Sequence, residues 1–219
     1  CGVLYDDSCW RRWMLQLLTR MGLHTQYAAF YQTWEQDHFR RVCSGELLYW
    51  EAMYEFLRCA GLTSGRASEA CAAGKSRRKQ WEKSIRPLPG VTETLRTLSA
   101  ARVPLAVMAH ASFDRETAHA KLKELGLLRY ITGGIRTTSD LGREGRYDER
   151  FLDAAAELGL PPYRTAYVGC GRCPLERAAG DQLVCFAHNT DLTTLDCEVL
   201  SSFRSLQEVI GPSPARRAG

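Results

Sequence analysis

The amino-acid sequence predicts an α/β fold in which a doubly wound parallel sheet is interrupted near its start by an all-helical insertion. The insertion is indicated by apolar residues at three-to-four spacing from Cys9 to about Ser84. The sheet is indicated by short apolar runs that alternate with helical patterns after Pro89, which is typical of parallel βαβ units. We therefore predict an α/β part at 1–8 and 86–210, a helical part at 9–85 and a frayed tail at 211–219.

The helical part is predicted to hold three to four helices around large apolar side chains. Residues 6–8 can cap the first helix, because Asp and Ser side chains accept hydrogen bonds from the free amides of a first turn. Gly22, Gly45 and Gly61 fall where helices should end. Four tryptophans recur with the helical period and are expected in the core: Trp10, Trp13, Trp34 and Trp50.

The α/β part begins where Pro87 and Pro89 interrupt the helical pattern, because proline cannot continue a helix. Helices are predicted at 91–101, 114–125, 148–159 and 174–179. Strands are predicted at 103–108, 165–168 and 183–187, with a further short strand at 130–132. These alternating elements require right-handed crossovers, which place helices on both faces of the sheet.

The charge of the chain argues against a nucleic-acid partner. The 219 residues carry a formal net charge of +4, and the basic residues are scattered. The densest basic run, at 75–79 and followed by Lys83 and Arg86, is interpreted as a solvated helix face. The alternative for this run is a surface that binds an anion or a partner.

The cysteine count and the apolar pattern predict a cytoplasmic protein that is not associated with a membrane. Nine cysteines are an odd number at irregular spacing, which favours reduced thiols over a disulfide framework. The sequence shows no apolar run long enough to span a bilayer and no charged-then-apolar leader, so we expect an unprocessed chain.

One stretch in the α/β part combines a strand with unusual side chains. Residues 165–168 read as a short buried strand, which runs into a glycine turn carrying Cys170 and Cys173 and then into a helix. In an open α/β sheet, ligands bind at the carboxyl ends of the strands. The turn is therefore expected at the mouth of a site, and it offers two thiols and no carboxylate.

Four segments together resemble the haloacid dehalogenase superfamily, in its subgroup with a helical cap of the first type. They are Gly-Val-Leu-Tyr-Asp-Asp at 2–7, Arg-Pro-Leu-Pro-Gly-Val at 86–91, Leu-Ala-Val-Met-Ala-His at 105–110 and Ala-Tyr-Val-Gly-Cys-Gly at 166–171. The resemblance covers nearly the whole chain. It implies a Rossmann-like core with the helical part as its cap.

The same resemblance implies that the catalytic motifs are degenerate. Cys1 stands where the acid/base Asp of the family lies, and the nucleophilic Asp would lie two residues earlier. Ala109 stands for a phosphate-binding Ser or Thr, and Gly145 stands for a Lys. Cys170 and Pro174 replace the carboxylates that hold magnesium, a cation that prefers oxygen ligands. We therefore assign no catalytic residue and expect no cofactor, magnesium included.

These replacements favour a catalytically inactive protein that acts as a binding or scaffold module. The alternative is a hydrolase of the phosphatase or 2-haloacid dehalogenase type that works with an incomplete motif set. His110, Arg143 and Arg146 are expected to line the pocket. The partner would be a protein or a small molecule, and the aromatic-rich cap could support an oligomer.

The vacated positions also suggest a metal site. Cys1, His110, Cys170 and Cys173 would lie near the ends of neighbouring strands, and thiolates with imidazole suit zinc. Two alternatives stay open, namely small residues that fill an unliganded pocket and a redox dithiol. The other histidines are expected on the surface or hydrogen-bonded in the core: His24, His38, His119 and His188.

The resemblance implies one more structural feature. The first strand of the family fold is central and would precede Cys1. A central strand cannot be omitted without exposing apolar faces and unpaired backbone groups. We therefore expect residues upstream of Cys1, or another segment in that gap.

Overall fold

The computed structural model describes residues 3–6, 8–24, 26–43, 46–109, 114–137, 156–159, 165–169, 183–186 and 198–210. Within these residues the chain forms a helical part followed by an α/β part, as the sequence predicts. None of the described helices has the length and apolar character needed to cross a membrane.

The helical part consists of α1 (Ser8–Arg20), α2 (Tyr27–Thr33), a π-helical segment (Trp34–Phe39), α3 (Arg40–Cys43), α4 (Tyr49–Cys59) and α5 (Ser64–Glu82). Because α2, the π-helical segment and α3 follow one another without a break, the part contains four helical rods, as predicted. Two of the predicted stops are confirmed, since Gly22 and Gly61 take φ values of 91° and 99°. Gly45 lies outside the described residues.

The core of the helical part contains a cluster of aromatic rings among aliphatic side chains. Phe56 is at its centre, with ring centroids 4.9 Å from Phe30 and 5.6 Å from Trp34, both in edge-to-face geometry. Trp34 also meets the ring of Tyr49 at 5.5 Å. Edge-to-face pairs place the positive ring edge on the negative ring face, which stabilises them beyond simple burial. The predicted core tryptophans Trp10 and Trp34 are buried, whereas Trp13 and Trp50 are half-buried.

Helices α1 and α5 pack closely and run antiparallel. A Cβ atom at Gly74 would lie 2.9 Å from the Met14 Cε atom and 2.9 Å from the Trp50 ring, so only glycine permits this approach. At the other end of the pair, the Arg66 guanidinium donates a hydrogen bond of 2.8 Å to the Met21 carbonyl. The Gly74 contact joins the middle of α1 to the second half of α5, and the Arg66 hydrogen bond joins the end of α1 to the start of α5.

The α/β part consists of α6 (Val91–Ala100), β1 (Ala106–Ala109), α7 (Arg115–Glu124), a 3-10 turn (Leu128–Tyr130), β2 (Gly134–Thr137), β3 (Tyr167–Gly169), β4 (Leu183–Phe186), β5 (Glu198–Leu200), a second 3-10 turn (Phe203–Ser205) and α8 (Leu206–Ile210). The strands form two parallel sheets, β1-β2 and β3-β4-β5. The parallel pairing confirms the predicted α/β class. Within the described residues, no ladder joins β1 to β3.

The predicted strand at 130–132 is wrong. Tyr130 is the last residue of the 3-10 turn, and its side chain is buried in the α/β core. The apolar character of this position is therefore explained by a turn residue that packs into the core, without a strand. The strand begins later, at Gly134. β1 is also shorter than the predicted 103–108, and β5 and α8 were not predicted.

Two predicted helices fall largely or wholly outside the described residues. Of the segment 148–159, the structure describes 156–159, in which 156 and 157 are helical. The segment 174–179 is not among the described residues.

The core of the α/β part is mainly aliphatic, with the aromatic rings of Tyr130 and Phe203 added to it. Its buried aliphatic members come from α6, α7, the strands and the residues next to them: Leu88, Val91, Leu95, Leu98, Leu122, Leu127, Ile135, Val184 and Leu200. One buried polar side chain is satisfied within it, because the Thr94 hydroxyl donates a hydrogen bond of 3.2 Å to the Phe203 carbonyl. This bond ties α6 to the end of the chain.

The two parts are joined where the chain enters and leaves the helical part. Tyr5 and Pro87 form an antiparallel bridge, and the Leu88 amide donates to the Leu4 carbonyl at 3.1 Å. The Lys121 ammonium of α7 donates to the Glu82 carbonyl at 2.6 Å, at the end of α5. The exact boundaries between the two parts, at 8–9 and 85–86, stay a prediction. The segments that enter and leave the helical part lie side by side.

Candidate functional site

The candidate site is the edge at which parallel strands β1 and β2 end. Ala109 and Thr137 are register partners at the ends of these strands, and Gly169 ends β3 in register with Cys185 of β4. Ligands of open α/β sheets bind beyond this edge. The residues that end these strands are therefore the first candidates for contacts to a ligand.

Ala109 is the predicted site residue that the structure describes. It is the last residue of β1 and is half-buried. The resemblance places a phosphate-binding hydroxyl there, and a methyl group cannot donate or accept a hydrogen bond. At this position the strand end offers no side-chain contact to a phosphate oxygen.

Thr137 is a polar residue at the same edge that the sequence reasoning missed. It is fully buried, with 0% exposure, and stands beside Ala109. The signal was present in the sequence as a run of hydroxyl and carboxylate residues, Thr-Thr-Ser-Asp at 137–140, which begins two residues after the apolar Ile135. The structure thus brings one hydroxyl group next to the position that lacks one.

Tyr167 and Gly169 confirm the strand that precedes the cysteine turn, although it is shifted slightly from the predicted 165–168. Gly169 is buried at the strand end. Burial raises the pKa of the Tyr167 phenol, so this side chain stays neutral at physiological pH. Ala109, Thr137 and Gly169 together offer one hydroxyl and no carboxylate.

The other predicted site residues lie outside the described residues: Cys1, His110, Arg143, Gly145, Arg146, Cys170, Cys173 and Pro174. Their convergence on zinc, and the lining of a pocket by His110 and the two arginines, stay predictions. Elsewhere in the part of the chain that the structure describes, no three His, Cys, Asp or Glu side chains come together as metal ligands.

The described thiols are free and differ in environment. Cys71 is buried, and burial raises the pKa of its thiol, so this side chain packs as a small apolar residue. Cys59 is exposed. Cys9 is half-buried.

His38 contradicts the expectation that its imidazole is exposed or hydrogen-bonded. It lies in the π-helical segment, stacked on Trp34 with ring centroids 6.3 Å apart, and meets the Phe56 ring at 5.3 Å. Its Nδ1 atom is buried without a hydrogen-bond partner among the described residues. Burial lowers the pKa of His38 against the opposing charges of Asp37 and Glu55, so the ring is neutral at pH 7.

A groove between α1 and α5 is a second candidate site, and the sequence reasoning missed it. Its volume is about 400 Å³, and it is lined by Trp13, Gln16, Leu17, Arg20, Ala73, Ser76 and Arg77. The signal for it is a stripe on α1 at helical spacing, which mixes apolar and polar residues where a core-facing stripe would be apolar. The groove combines an apolar wall with two guanidinium groups.

Comparison with protein families identifies the family to which this fold belongs. Residues 2–169, more than half of the chain, match the model of the haloacid dehalogenase-like hydrolases. No curated protein matches the chain.

Solved structures agree with this assignment. A HAD family hydrolase from Deinococcus radiodurans R1, solved with bound phosphate and sodium, is similar at TM-score 0.67 and 20% identity, over 96% of this chain and 91% of that one. A haloacid dehalogenase-like family hydrolase from Streptococcus pneumoniae is similar at TM-score 0.65 and 16% identity, over 95% and 94%.

A 2-haloacid dehalogenase from Pseudomonas syringae is similar at TM-score 0.52 and 19% identity, over 99% of this chain and 95% of that one. At these identities the structural matches establish the fold, and the family model establishes the membership. The resemblance to this superfamily read from the four sequence segments is thereby confirmed, whereas the cap subgroup and the degenerate motifs stay predictions. The chain belongs to the haloacid dehalogenase-like hydrolase family.

Proposed function

We propose that the protein is a member of the haloacid dehalogenase-like hydrolase family that binds a ligand at the sheet edge without hydrolysing it. The observation that carries this proposal is Ala109, which ends β1 with a methyl group where the family pattern calls for a hydroxyl. The sequence supports it further at Gly145, Cys170 and Pro174, which replace a lysine and two carboxylates.

The expected loss of reaction rate from the replaced groups favours binding over catalysis. Removing one positioned hydrogen-bond donor from an active site costs roughly 10²–10³ in rate. Here the replaced groups would hold the phosphate, neutralise its charge and bind a cation. A fold can persist after its site has lost this chemistry, because function depends on the site and not on the architecture.

A second candidate function is hydrolysis by an atypical site. It is favoured by the family match over 2–169 and by the buried hydroxyl of Thr137, which stands beside Ala109 and could take over a contact to an oxyanion. The substrate would be a phosphate monoester or a 2-haloacid. Similar proteins carry such names, but at low identity they do not determine the substrate of this chain.

Hydrolysis assays on the purified protein distinguish the two functions. We expect no turnover of p-nitrophenyl phosphate or 2-chloropropionate above that of Thr137→Val and Cys170→Ala variants, with or without added magnesium. Thr137→Val keeps the shape of the side chain and removes the hydroxyl, so it is the sharper control. Turnover that falls at least about tenfold in either variant would establish the hydrolase and reject the binding module.

The zinc site is proposed separately, with Cys1, His110, Cys170 and Cys173 as its ligands. Elemental analysis of protein purified without added metal decides it, because a structural site retains about one zinc per chain. Sub-stoichiometric zinc, or zinc retained in a Cys170→Ala, Cys173→Ala double variant, would reject these ligands.

The partner is proposed to be a small molecule or a protein and not a nucleic acid. An oligomer formed through aromatic residues of the helical part gains no support, because the aromatic side chains that the structure describes there are buried or half-buried. Cytoplasmic location stays a prediction.

A further inference from the structure

The groove between α1 and α5 has the construction of a binding site for a small molecule. Trp13, Gln16, Leu17 and Arg20 lie at i, i+3, i+4 and i+7 on α1 and so form one continuous face. Ala73, Ser76 and Arg77 form the opposing face of α5. The volume of about 400 Å³ lies within the range typical of small-molecule sites.

The aromatic wall of the groove is held in place by its neighbours. The Trp13 ring stacks on Trp10 with centroids 5.5 Å apart and planes inclined by 24°. The Trp10 indole in turn donates a hydrogen bond of 3.3 Å to the Tyr49 hydroxyl. Gly74 fixes the separation of the helices through its contact with Met14. A ligand would therefore meet a preformed apolar surface, which reduces the entropy lost on binding.

The two arginines of the groove have no acidic partner among the described residues. Arg77 donates a hydrogen bond of 2.7 Å to the neutral side chain of Gln80. Two other arginines of the helical part do form ion pairs, Arg41 with Glu46 and Glu55 and Arg78 with Glu82. Within the described part of the chain, the positive charge of the groove is thus not neutralised by a carboxylate.

The antiparallel packing directs both arginines toward the groove. Side chains of a helix lean toward its N-terminus. Arg20 lies at the end of α1 and leans back along that helix, whereas Arg77 lies near the opposite end of the pair and leans back along α5. The two guanidinium groups consequently flank the cavity from its two ends.

We propose that the α1–α5 groove binds a small organic oxyanion, with its apolar body against Trp13 and Leu17 and its anionic group held by Arg20 or Arg77. Guanidinium groups recognise carboxylate and phosphate oxygens through paired, charge-assisted hydrogen bonds. The Gln16 amide and the Ser76 hydroxyl supply further donors. This site is separate from the sheet edge, so its occupancy does not depend on whether the edge is catalytic.

The test is a titration of the full chain with phenylacetate, followed by the indole N–H signal of Trp13 in 15N–1H NMR spectra. A Trp13→Phe variant identifies that signal. We expect a saturable shift with phenylacetate and at least about tenfold weaker binding of 2-phenylethanol, which has the same ring without the charge. At least one of the variants Arg20→Gln and Arg77→Gln should weaken phenylacetate binding about tenfold or more, as expected for loss of a hydrogen bond between charged groups, and the proposal is rejected if neither variant does so.

Arg12→Gln is the matched control, because Arg12 is exposed on α1 and does not line the groove. It should bind phenylacetate like the unaltered chain, and all three variants should retain the same circular dichroism spectrum. The proposal fails if Trp13 does not respond, or if 2-phenylethanol binds equally well. It also fails if sedimentation shows a dimer that Arg20→Gln dissociates, since the groove would then be a contact between two copies.

Discussion

The two parts of the molecule bury different kinds of side chain. In the helical part, Phe30, Trp34 and Phe56 meet edge to face at defined angles. In the α/β part, most core residues are leucine, valine and isoleucine, and the backbone ladders add directional bonds. Short helices have no ladder between them, so their mutual orientation depends on side-chain geometry. The aromatic contacts therefore set the relative orientation of the helices, as strand pairing sets the relative orientation of the strands.

The comparison also explains where candidate sites lie. Strand pairing fixes the sheet edge, so the adjacent strand-end positions Ala109 and Thr137 follow from register. The groove is formed by the close packing of α1 and α5, which the absence of a side chain at Gly74 permits. All five tryptophans lie in the helical part, at 10, 13, 34, 50 and 81, so their fluorescence reports on that part alone.

The largest effect should come from removing the central ring. Phe56→Ala, at a residue with 4% exposure, is expected to lower the free energy of unfolding by about 3–5 kcal/mol, because it leaves a cavity and breaks three ring contacts. Urea denaturation followed by tryptophan fluorescence measures it.

Its counterpart in the other part is Leu127→Ala, which should lower the free energy of unfolding by about 2–5 kcal/mol, measured by far-ultraviolet circular dichroism because this signal includes the helices of both parts. The exposed Leu48→Ala is the control and should change little. An unchanged fluorescence midpoint in Phe56→Ala would refute the central role of this ring.

A smaller effect is expected from widening the α1–α5 contact. Gly74→Ala places a methyl group 2.9 Å from Met14 and Trp50 and should destabilise the chain by about 1–3 kcal/mol. Gly65→Ala in the same helix meets no atom within 4 Å and should be neutral or stabilise by up to about 1 kcal/mol, since alanine favours helix. Thermal melts of the pair give the comparison, and equal effects would show that the close packing is not required.

The link between the parts can be broken at Lys121. Lys121→Met keeps the apolar stem and removes the ammonium that bonds the Glu82 carbonyl at 2.6 Å and the Glu124 carboxylate at 3.0 Å. We expect a loss of about 1–3 kcal/mol and a wider gap between the fluorescence and circular dichroism midpoints. Lys123→Met, exposed on the same helix, is the control. Coincident midpoints in both variants would contradict a coupling role.

The smallest effect is the pH dependence from His38. Its folded pKa is below 6.5, so the unfolded chain binds more protons there and the free energy of unfolding should fall as pH drops below about 6.5. The slope cannot exceed about 1.4 kcal/mol per pH unit. Urea denaturation between pH 5 and 8 should show this slope in the unaltered chain and in His119→Gln, an exposed control, but less of it in His38→Phe. A slope that His38→Phe leaves unchanged would assign it to other groups.

Much of the fold could be predicted because periodicity is local. The glycine stops at Gly22 and Gly61 and the helices at 91–100 and 115–124 follow from spacing and caps. The failure at Tyr130 is instructive, since a buried aromatic residue near an apolar neighbour looks like a strand even when a turn carries it into the core. Burial alone does not specify secondary structure.

Less of the candidate site could be predicted. Ala109 was found through the family pattern, whereas Thr137 depends on which strand lies beside β1. The unsatisfied Nδ1 atom of His38 depends on the rings that surround it. The groove requires two helices that are distant in the chain, so no single stretch of sequence reveals it.

The sequence by itself determined the α/β class, the helical insertion and the proline-rich return, because each depends on residue type and spacing along the chain, and the resemblance to the family implied the loss of a hydroxyl at Ala109. Only the tertiary structure decided that Thr137 stands beside Ala109, that His38 is enclosed by rings, and that Arg20 and Arg77 flank one cavity. The physical reason is that strand register and helix separation are set by contacts between distant segments. Gly74 shows this most directly, since its missing side chain has meaning only beside Met14 and Trp50.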